Sequence, residues 1–462
     1  MLLYSSYKLI DEFLTYPIST ESRFVIEKNK SKLFPNIIIC NHGIAPKMST
    51  GNRYLKNISS NEIWDNIKAG NFNLQLNKSV INDVLWKNTD VNYYSIERIR
   101  NISFQKEDFI IDCQILDHKK IGDERYVDCY DHFHDYVSNN YGLCQKLILP
   151  NDLKDLAGSF EAAVSGIRIN LFIDPNDSNG LISSLVGARV TLDDEGFPVI
   201  PQSEGLDVGP GNEISIKFNR ISTQKEQRGK HECILKHDDF EIDGMKYGSH
   251  AFTCDQLCSS YHMKLKCNCI TMHFFGNDSI CDVRKDPHES CYKNNFKQLQ
   301  KDVIECKEKH CKIYCNHEKY NYQSNQIPFP SDSFLPIYVS GLLSRDDLNP
   351  NIRSSIEKVL LSNDLSKADH YDIVRKLFIH IHIYRASHYT ETIRENLIYT
   401  EWSLLSKIGG NMGIFLGVSL IGAFNFLLKF EFMLFSRVRN FFSEVRTYLT
   451  LKTSKTNFEV VA

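Results

Sequence analysis

The chain has 462 residues, 42% of them apolar and 24% charged, with a net charge of −3. These proportions exclude a collagen-like, disordered or polytopic chain, and the slight acidity argues against a nucleic-acid binder, which usually carries a basic excess. Fourteen cysteines and one apolar run near the C-terminus point instead to an extracellular, disulfide-bonded domain on a membrane anchor.

In chain order, MLLYSSYKLIDEFLTYP opens with a short apolar stretch before Lys8, Asp11 and Glu12, and is not a signal peptide. A large outer domain ahead of a C-terminal span needs an upstream signal. The reading therefore expects a first transmembrane helix that precedes Met1, with residues 1–16 keeping its outer end. FPNIIIC at Phe34–Cys40 is a short β-rich run after a proline. From Phe160 to Ile221 the pattern is strand-rich. GIRINLFID alternates apolar and polar residues, and ISIKF does so again after the turn signal at Gly209–Asn212. Five sequons, at Asn57, Asn77, Asn101, Asn176 and Asn277, all precede the apolar run and are candidate glycan acceptors.

Ten of the fourteen cysteines fall between Cys233 and Cys315. That density favours disulfides in an oxidising compartment. Zinc is the competing reading, but the Cys-x2-Cys pairs it usually uses are absent. The block reads as helical: Cys254 and Cys258 share a helix face, and Phe296, Leu299 and Val303 recur at helical spacing in Tyr292–Glu305, ahead of Cys306. Two such helices can be laddered by disulfides. Val374–Tyr384 alternates as a strand, with Phe378, His380, His382 and Tyr384 on one face. It is expected to run toward the apolar segment and to pair with the strand near Phe34, coupling both spans to one sheet.

Ile408–Leu428 carries no charge. At ~1.5 Å per residue it is long enough to cross a hydrocarbon core of ~30 Å. Beyond it, Ser436–Ala462 carries five basic residues (Arg437, Arg439, Arg446, Lys452 and Lys455) against Glu444 and Glu459, which places the C-terminus in the cytoplasm. Gly409, Gly410, Gly413, Gly417, Ser419 and Gly422 dot the run. Small residues serve ordinary helix packing; they also suit a constriction where backbone carbonyls replace water around a cation.

SKIGGNMGIFLGVSL resembles the second membrane helix of the epithelial sodium channel/degenerin family, which includes acid-sensing channels. FPNIIICN at Phe34–Asn41, Leu14–Pro17, Asn140–Cys144 and the cysteine order through Cys315, followed by Tyr320 and Ser324, resemble that family's other landmarks in the right order. The resemblance implies an α+β membrane protein: a disulfide-rich ectodomain of palm, β-ball, finger, thumb and knuckle on transmembrane helices, the first largely missing. It places the ectodomain at 17–405, with a finger near 55–150 and palm and β-ball strands near 18–54, 160–235 and 374–385. A thumb follows near 240–330, a knuckle near 331–370, the second membrane helix at 408–428 and a cytoplasmic tail at 436–462. It implies the pairings Cys40–Cys144, Cys113–Cys129, Cys233–Cys315, Cys254–Cys311, Cys258–Cys306, Cys267–Cys291 and Cys269–Cys281. It further implies a selectivity filter at Gly417, Val418 and Ser419, with Gly413 and Asn425 lining the pore.

The expected function is a subunit of a trimeric, sodium-permeable, amiloride-sensitive channel in the plasma membrane, gated through its ectodomain. Its partners would be related subunits, as homo- or heterotrimer, and the lipid bilayer; it would need no cofactor beyond permeant sodium, no metal and no nucleic acid. Three departures stand out. Asn425 lies where the family usually has Glu, which weakens cation attraction. Lys429 follows one turn later, and Arg228–Glu232 lacks the usual aromatic and proline form. A non-conducting regulatory subunit and a single-span, disulfide-rich receptor or adhesion protein are the alternatives. His132, His134, His380 and His382 could sense protons because histidine titrates near neutral pH, and Asp193/Asp194, Asp238/Asp239 and Asp346/Asp347 could form acid-sensing pairs; satisfied or surface histidines and solvated turn carboxylates are the commoner fates. No nucleophile elbow, Walker loop or HExxH motif supports an enzyme.

Overall fold

The computed structural model describes residues 2–26, 28, 34–43, 68–70, 96–117, 120, 122–138, 141–158, 165–174, 185–193, 201, 205–227, 233, 241–242, 245–246, 251–270, 281, 287–311, 315–361, 367–416, 422, 424–433, 435, 437 and 439. It divides into two compact units. One comprises Met1–Thr20, Arg228–His231 and Glu395–Ala462; the other comprises Glu21–Gln227 and Glu232–Arg394.

The chain begins with helix α1 (Leu2–Leu14), then strands β1 (Ile18–Ile26) and β2 (Asn36–Asn41). Short helices α2 (Ile96–Ile102) and α3 (Lys106–Phe109) lead into β3 (Ile110–Leu116), β4 (Tyr126–Asp128), β5 (Phe133–Ser138) and β6 (Gly142–Leu147). After α4 (Asn151–Gly158) come β7 (Ile167–Phe172), β8 (Ala188–Asp193), β9 (Leu206–Val208) and β10 (Asn212–Gln224). Two very short strands, β11 (Glu241–Ile242) and β12 (Met245–Lys246), precede α5 (Ala251–Cys267) and α6 (His288–His310). β13 (Asn316–Pro328) is followed by α7 (Leu335–Leu343), α8 (Pro350–Leu360) and α9 (Lys367–Arg375), then β14 (Phe378–Arg385), β15 (Tyr389–Leu397) and α10 (Glu401–Leu416).

Two sheets form the centre of the larger unit. The first runs β1-β15-β10-β14-β7-β3-β4, with β13 also on β10; the second runs β5-β6-β2-β8-β9. β10 is the spine of the first. Its first half pairs in parallel with β14, its second half in parallel with β15, and its whole length antiparallel with β13. Its alternation decides which side is inner: Ile214, Ile216 and Phe218 are buried while Lys217 is exposed. β2 lies in the middle of the second sheet, between β6 and β8. All six of its residues are buried, and the apolar run Ile37–Cys40 between Asn36 and Asn41 suits a strand covered on both faces. Phe34 meets Phe218 edge-on, with ring centroids 5.1 Å apart. Ahead of β7, Gly166 sits at φ +92°, and a Cβ there would lie 2.1 Å from the Ile383 carbonyl oxygen, so only glycine lets β7 begin so close to β14.

Helices α7–α9 cover the other face of β14. Leu335, Val339, Ile352, Ile356 and Val374 pack on Phe172, Leu377 and Phe378. Asn349 caps α8 by accepting from the Asn351 amide, ahead of Pro350 at the first helical position.

The seven bridges formed are Cys40–Cys144, Cys113–Cys129, Cys233–Cys315, Cys254–Cys311, Cys258–Cys306, Cys267–Cys291 and Cys269–Cys281, and no cysteine is free. These are the pairs the resemblance implies. Three of them staple α5 to α6 as an antiparallel ladder. The helical reading of both segments holds, with α6 continuing past Cys306 to His310.

Several expectations need correction. The strand expected at 374–384 begins at Phe378, because Val374 belongs to α9 and packs inside the helix cluster. β14 does not pair with the strand after Phe34; that strand lies in the other sheet. The strands adjoining the two long terminal helices are β1 and β15, which are sheet neighbours. The range 18–54 expected to carry strands takes in β1, whereas β15 lies beyond the expected 374–385; β1 is mostly exposed and β15 mostly half-buried, so neither alternates in the way that marks a strand with one buried face. The range expected as finger contributes β3–β6 to both sheets, and the end of the range expected as thumb is β13, a partner of β10. No helix among the described residues is long and apolar enough to cross a membrane; residues 417–421 and 423, within the apolar run, lie outside them.

Candidate functional site

In the smaller unit, α1 and α10 pack against each other in antiparallel fashion. α10 starts where it does because Thr400 caps it, its hydroxyl accepting from the Ser403 amide at 3.2 Å. α1 ends at Leu14; the hydroxyl of Thr15, the next residue, donates to the Glu12 carbonyl, Tyr16 then takes φ +49° and Pro17 follows. The Pro17 carbonyl accepts from the Ile398 amide at 2.9 Å. Tyr399 donates to Glu12 at 3.0 Å, and Asn411 donates to Ser5 at 3.4 Å further along the pair.

Of the expected pore residues, Gly413 is an exposed position of α10 and Asn425 an exposed position among the helical residues 424–433. Lys429 is exposed on the same stretch. Gly417, Val418 and Ser419 lie outside the described residues, as does Arg228–Glu232. α10 exposes Trp402 and Ile414, and α1 exposes Tyr4 and Tyr7, each by more than two thirds. Such large apolar side chains ask for a lipid or protein neighbour.

The larger unit carries a polar row that sequence reading missed in part. His380 on β14, Asn170 on β7 and Asp112 on β3 are register partners across three adjacent strands. His380 Nδ1 and the Asn170 carbonyl oxygen are hydrogen-bonded, and the Asn170 amide donates to Asp112 Oδ1 at 2.7 Å. That arrangement puts the Nδ1 proton on His380. Arg345, just beyond α7, closes the row by donating to Asp112 Oδ2 at 3.0 Å, and also holds Asp347. Phe329 lies against the His380 ring, and Tyr338 against Phe329 and Phe378. Burial, followed by the charges of Arg168 and His382, lowers His380 to about 4. Burial raises Asp112 in spite of Asn170 and Arg345. The Asp347 carboxyl is held low, first by its hydrogen bond from Arg345. His382 is buried, bonds the Ser165 carbonyl at 2.8 Å and is also lowered by burial.

The other candidates separate. His134 is exposed and His132 half-buried. Asp193 is fully buried and paired with Lys146, while Asp194, Asp238 and Asp239 lie outside the described residues. Of the sequons only Asn101 is described; it is an exposed residue of α2. Cys254, Cys258 and Cys311 converge, but each is spent in a disulfide, so they offer no thiolate to zinc. Nothing local in the sequence marks Asn170, Asp112 or Arg345. Their relation exists only through strand register.

Two sheets and a cystine-laddered helix pair make up a disulfide-bonded larger unit, and the smaller unit holds a pair of antiparallel helices. The chain belongs to the amiloride-sensitive sodium channel family, whose model matches residues 1–428. It is 22% identical over 459 residues to the degenerin-like protein asic-2 of Caenorhabditis elegans, covering 91% of this chain and 77% of that one. It is 23% identical to the epithelial sodium channel subunit alpha of Gallus gallus over 63% of this chain, and 20% identical to subunit gamma-2 of Xenopus laevis over 61%. It spans 42% and 40% of the length of those two vertebrate subunits.

Proposed function

We propose that the chain is a subunit of a trimeric, sodium-permeable, amiloride-sensitive channel, and that its cystine-bonded domain lies outside the cell and gates the pore. The observation that carries this reading is the family match through residue 428, which takes in the whole glycine-dotted run at 408–428. In this reading 408–428 crosses the bilayer with the C-terminus in the cytoplasm. Three copies bring Gly417, Val418 and Ser419 together, where backbone carbonyls and small side chains strip water from sodium. Gly413 lines the wider path above and Asn425 the path below. Sodium is cargo; no cofactor takes part.

The test is current recording from the full chain in cell membranes. Replacing external sodium with a large organic cation should shift the reversal potential strongly negative, and amiloride should block the current. An unchanged reversal potential rejects sodium selectivity. Ser419→Trp should abolish the current while leaving surface expression intact. Asn425 favours a second reading, a non-conducting regulatory subunit, because an uncharged ring draws cations less strongly than carboxylates do. Asn425→Glu separates the two: it raises conductance in a conducting subunit and changes nothing in a silent one.

A further inference from the structure

Tyr399 stands just ahead of α10 and touches opposite charges from two helices. Its hydroxyl donates to Glu12 Oε1 of α1 at 3.0 Å. Lys407 Nζ of α10 lies 3.8 Å from the centroid of its ring. The second contact follows from helix geometry. Side chains on a helix lean toward its N-terminus, so the long stem of Lys407 reaches back over the preceding turns to the residue that opens the helix. A cation over the face of a phenol ring is attracted by its quadrupole, while the hydroxyl edge remains free to serve a carboxylate. One tyrosine thus joins an ammonium on α10 to a carboxylate on α1. The backbone bond from Ile398 to Pro17 lies beside it, and the Asn411–Ser5 bond lies deeper between the same helices.

We infer that Tyr399 is a positioning residue: it latches α10 to α1 through Glu12 and Lys407 and sets how far the two helices separate at the end where each joins its strand. Each contact is partly exposed and weak alone, so the latch is reversible. The cluster also draws the Lys407 charge onto a ring and away from whatever passes the helix pair. Its consequence for ion flow rests on the channel reading; its existence does not.

The test uses the full chain in cell membranes. All fourteen native cysteines are bridged, so Ser5→Cys with Asn411→Cys introduces the sole pair of free thiols. Copper phenanthroline closes that pair, and mass spectrometry of the linked peptides gives the rate. Tyr399→Leu should slow bridging about tenfold, and Tyr399→Phe, which keeps the ring for Lys407, by roughly two- to threefold. Lys407→Met should slow it, whereas Lys407→Arg, which keeps a cation over the ring, should restore the parent rate. Equal rates in the parent and Tyr399→Leu overturn the latch, and so does a loss with Lys407→Arg as large as with Lys407→Met. Slowed bridging in a chain that passes no sodium current supports the latch while rejecting the channel reading. A changed open probability in Tyr399→Leu ties the two together.

Discussion

The two-sheet core and the α5–α6 pair are held by different physics. The sheets share one large apolar cluster, in which Ile37, Ile39, Ile167, Ile169, Ile381 and Ile383 are fully excluded from water. Among the described residues, the cluster at the helix pair is small, made of Met263, Leu299, Cys269 and Cys281. α6 is polar along most of its length, with Lys293, Lys297 and Lys301 exposed. A helix as polar as α6 gains little from burial to offset the entropy of ordering its residues. The bridges Cys254–Cys311, Cys258–Cys306 and Cys267–Cys291 do that instead, by restricting the unfolded chain. Where apolar residues are scarce, covalent links substitute for them.

That contrast can be broken most forcefully at the ladder. Removing Cys254–Cys311 and Cys258–Cys306 together, by serine at all four positions, should cost ~2–5 kcal/mol per bridge. Hydrogen exchange should then open throughout 251–310 while β2, β10 and β14 stay protected; equal opening everywhere would show the two regions to be one cooperative unit. Ile381→Ala should act in the opposite place. It leaves a cavity in the sheet core at ~2–5 kcal/mol, read by denaturant unfolding, and should exceed Leu299→Ala in α6.

Acid sharpens the comparison, because the sheet region holds a buried histidine. His380 is lowered from 6.5 to about 4. In that range the unfolded chain takes up a proton more readily than the folded one. The stability involved is therefore fully present above about pH 6.5 and is lost as pH falls toward 4, worth up to ~3 kcal/mol. Asp112, raised by burial, opposes part of this, since a raised carboxyl favours the fold when protonated. His380→Gln should flatten the acid limb of sheet unfolding and leave the ladder unchanged. Asn170→Ala, which strands His380 and Asp112 at once, should cost ~1–3 kcal/mol at neutral pH. The smallest effect belongs to the ladder surface: Lys293→Ala breaks an exposed one-turn pair with Glu289 and should cost under ~0.5 kcal/mol by thermal unfolding.

Much of the architecture was legible because it is local. Alternation in ISIKF and GIRINLFID marks β10 and β7, and helical spacing of Cys254, Cys258, Phe296 and Leu299 marks α5 and α6. No alternation marks β1, an edge strand that is mostly exposed, or β15, an inner strand whose residues are mostly half-buried on both faces. The candidate site divided the same way. His380 drew notice as a titratable residue on an alternating strand, whereas Asn170, Asp112 and Arg345 had no signal that could be read along the chain.

The amino-acid order alone determined the apolar run, its family and the segments that can become strand or helix, because hydrophobic period and cysteine spacing are properties of near neighbours. Only the tertiary structure decided which strands lie side by side. It thereby aligned His380 with Asn170 and Asp112, set β1 next to β15, and brought Glu12 to Tyr399 across nearly the whole chain. Strand register and helix docking are chosen by the burial of all partners at once, and that choice is not written in any one stretch of sequence.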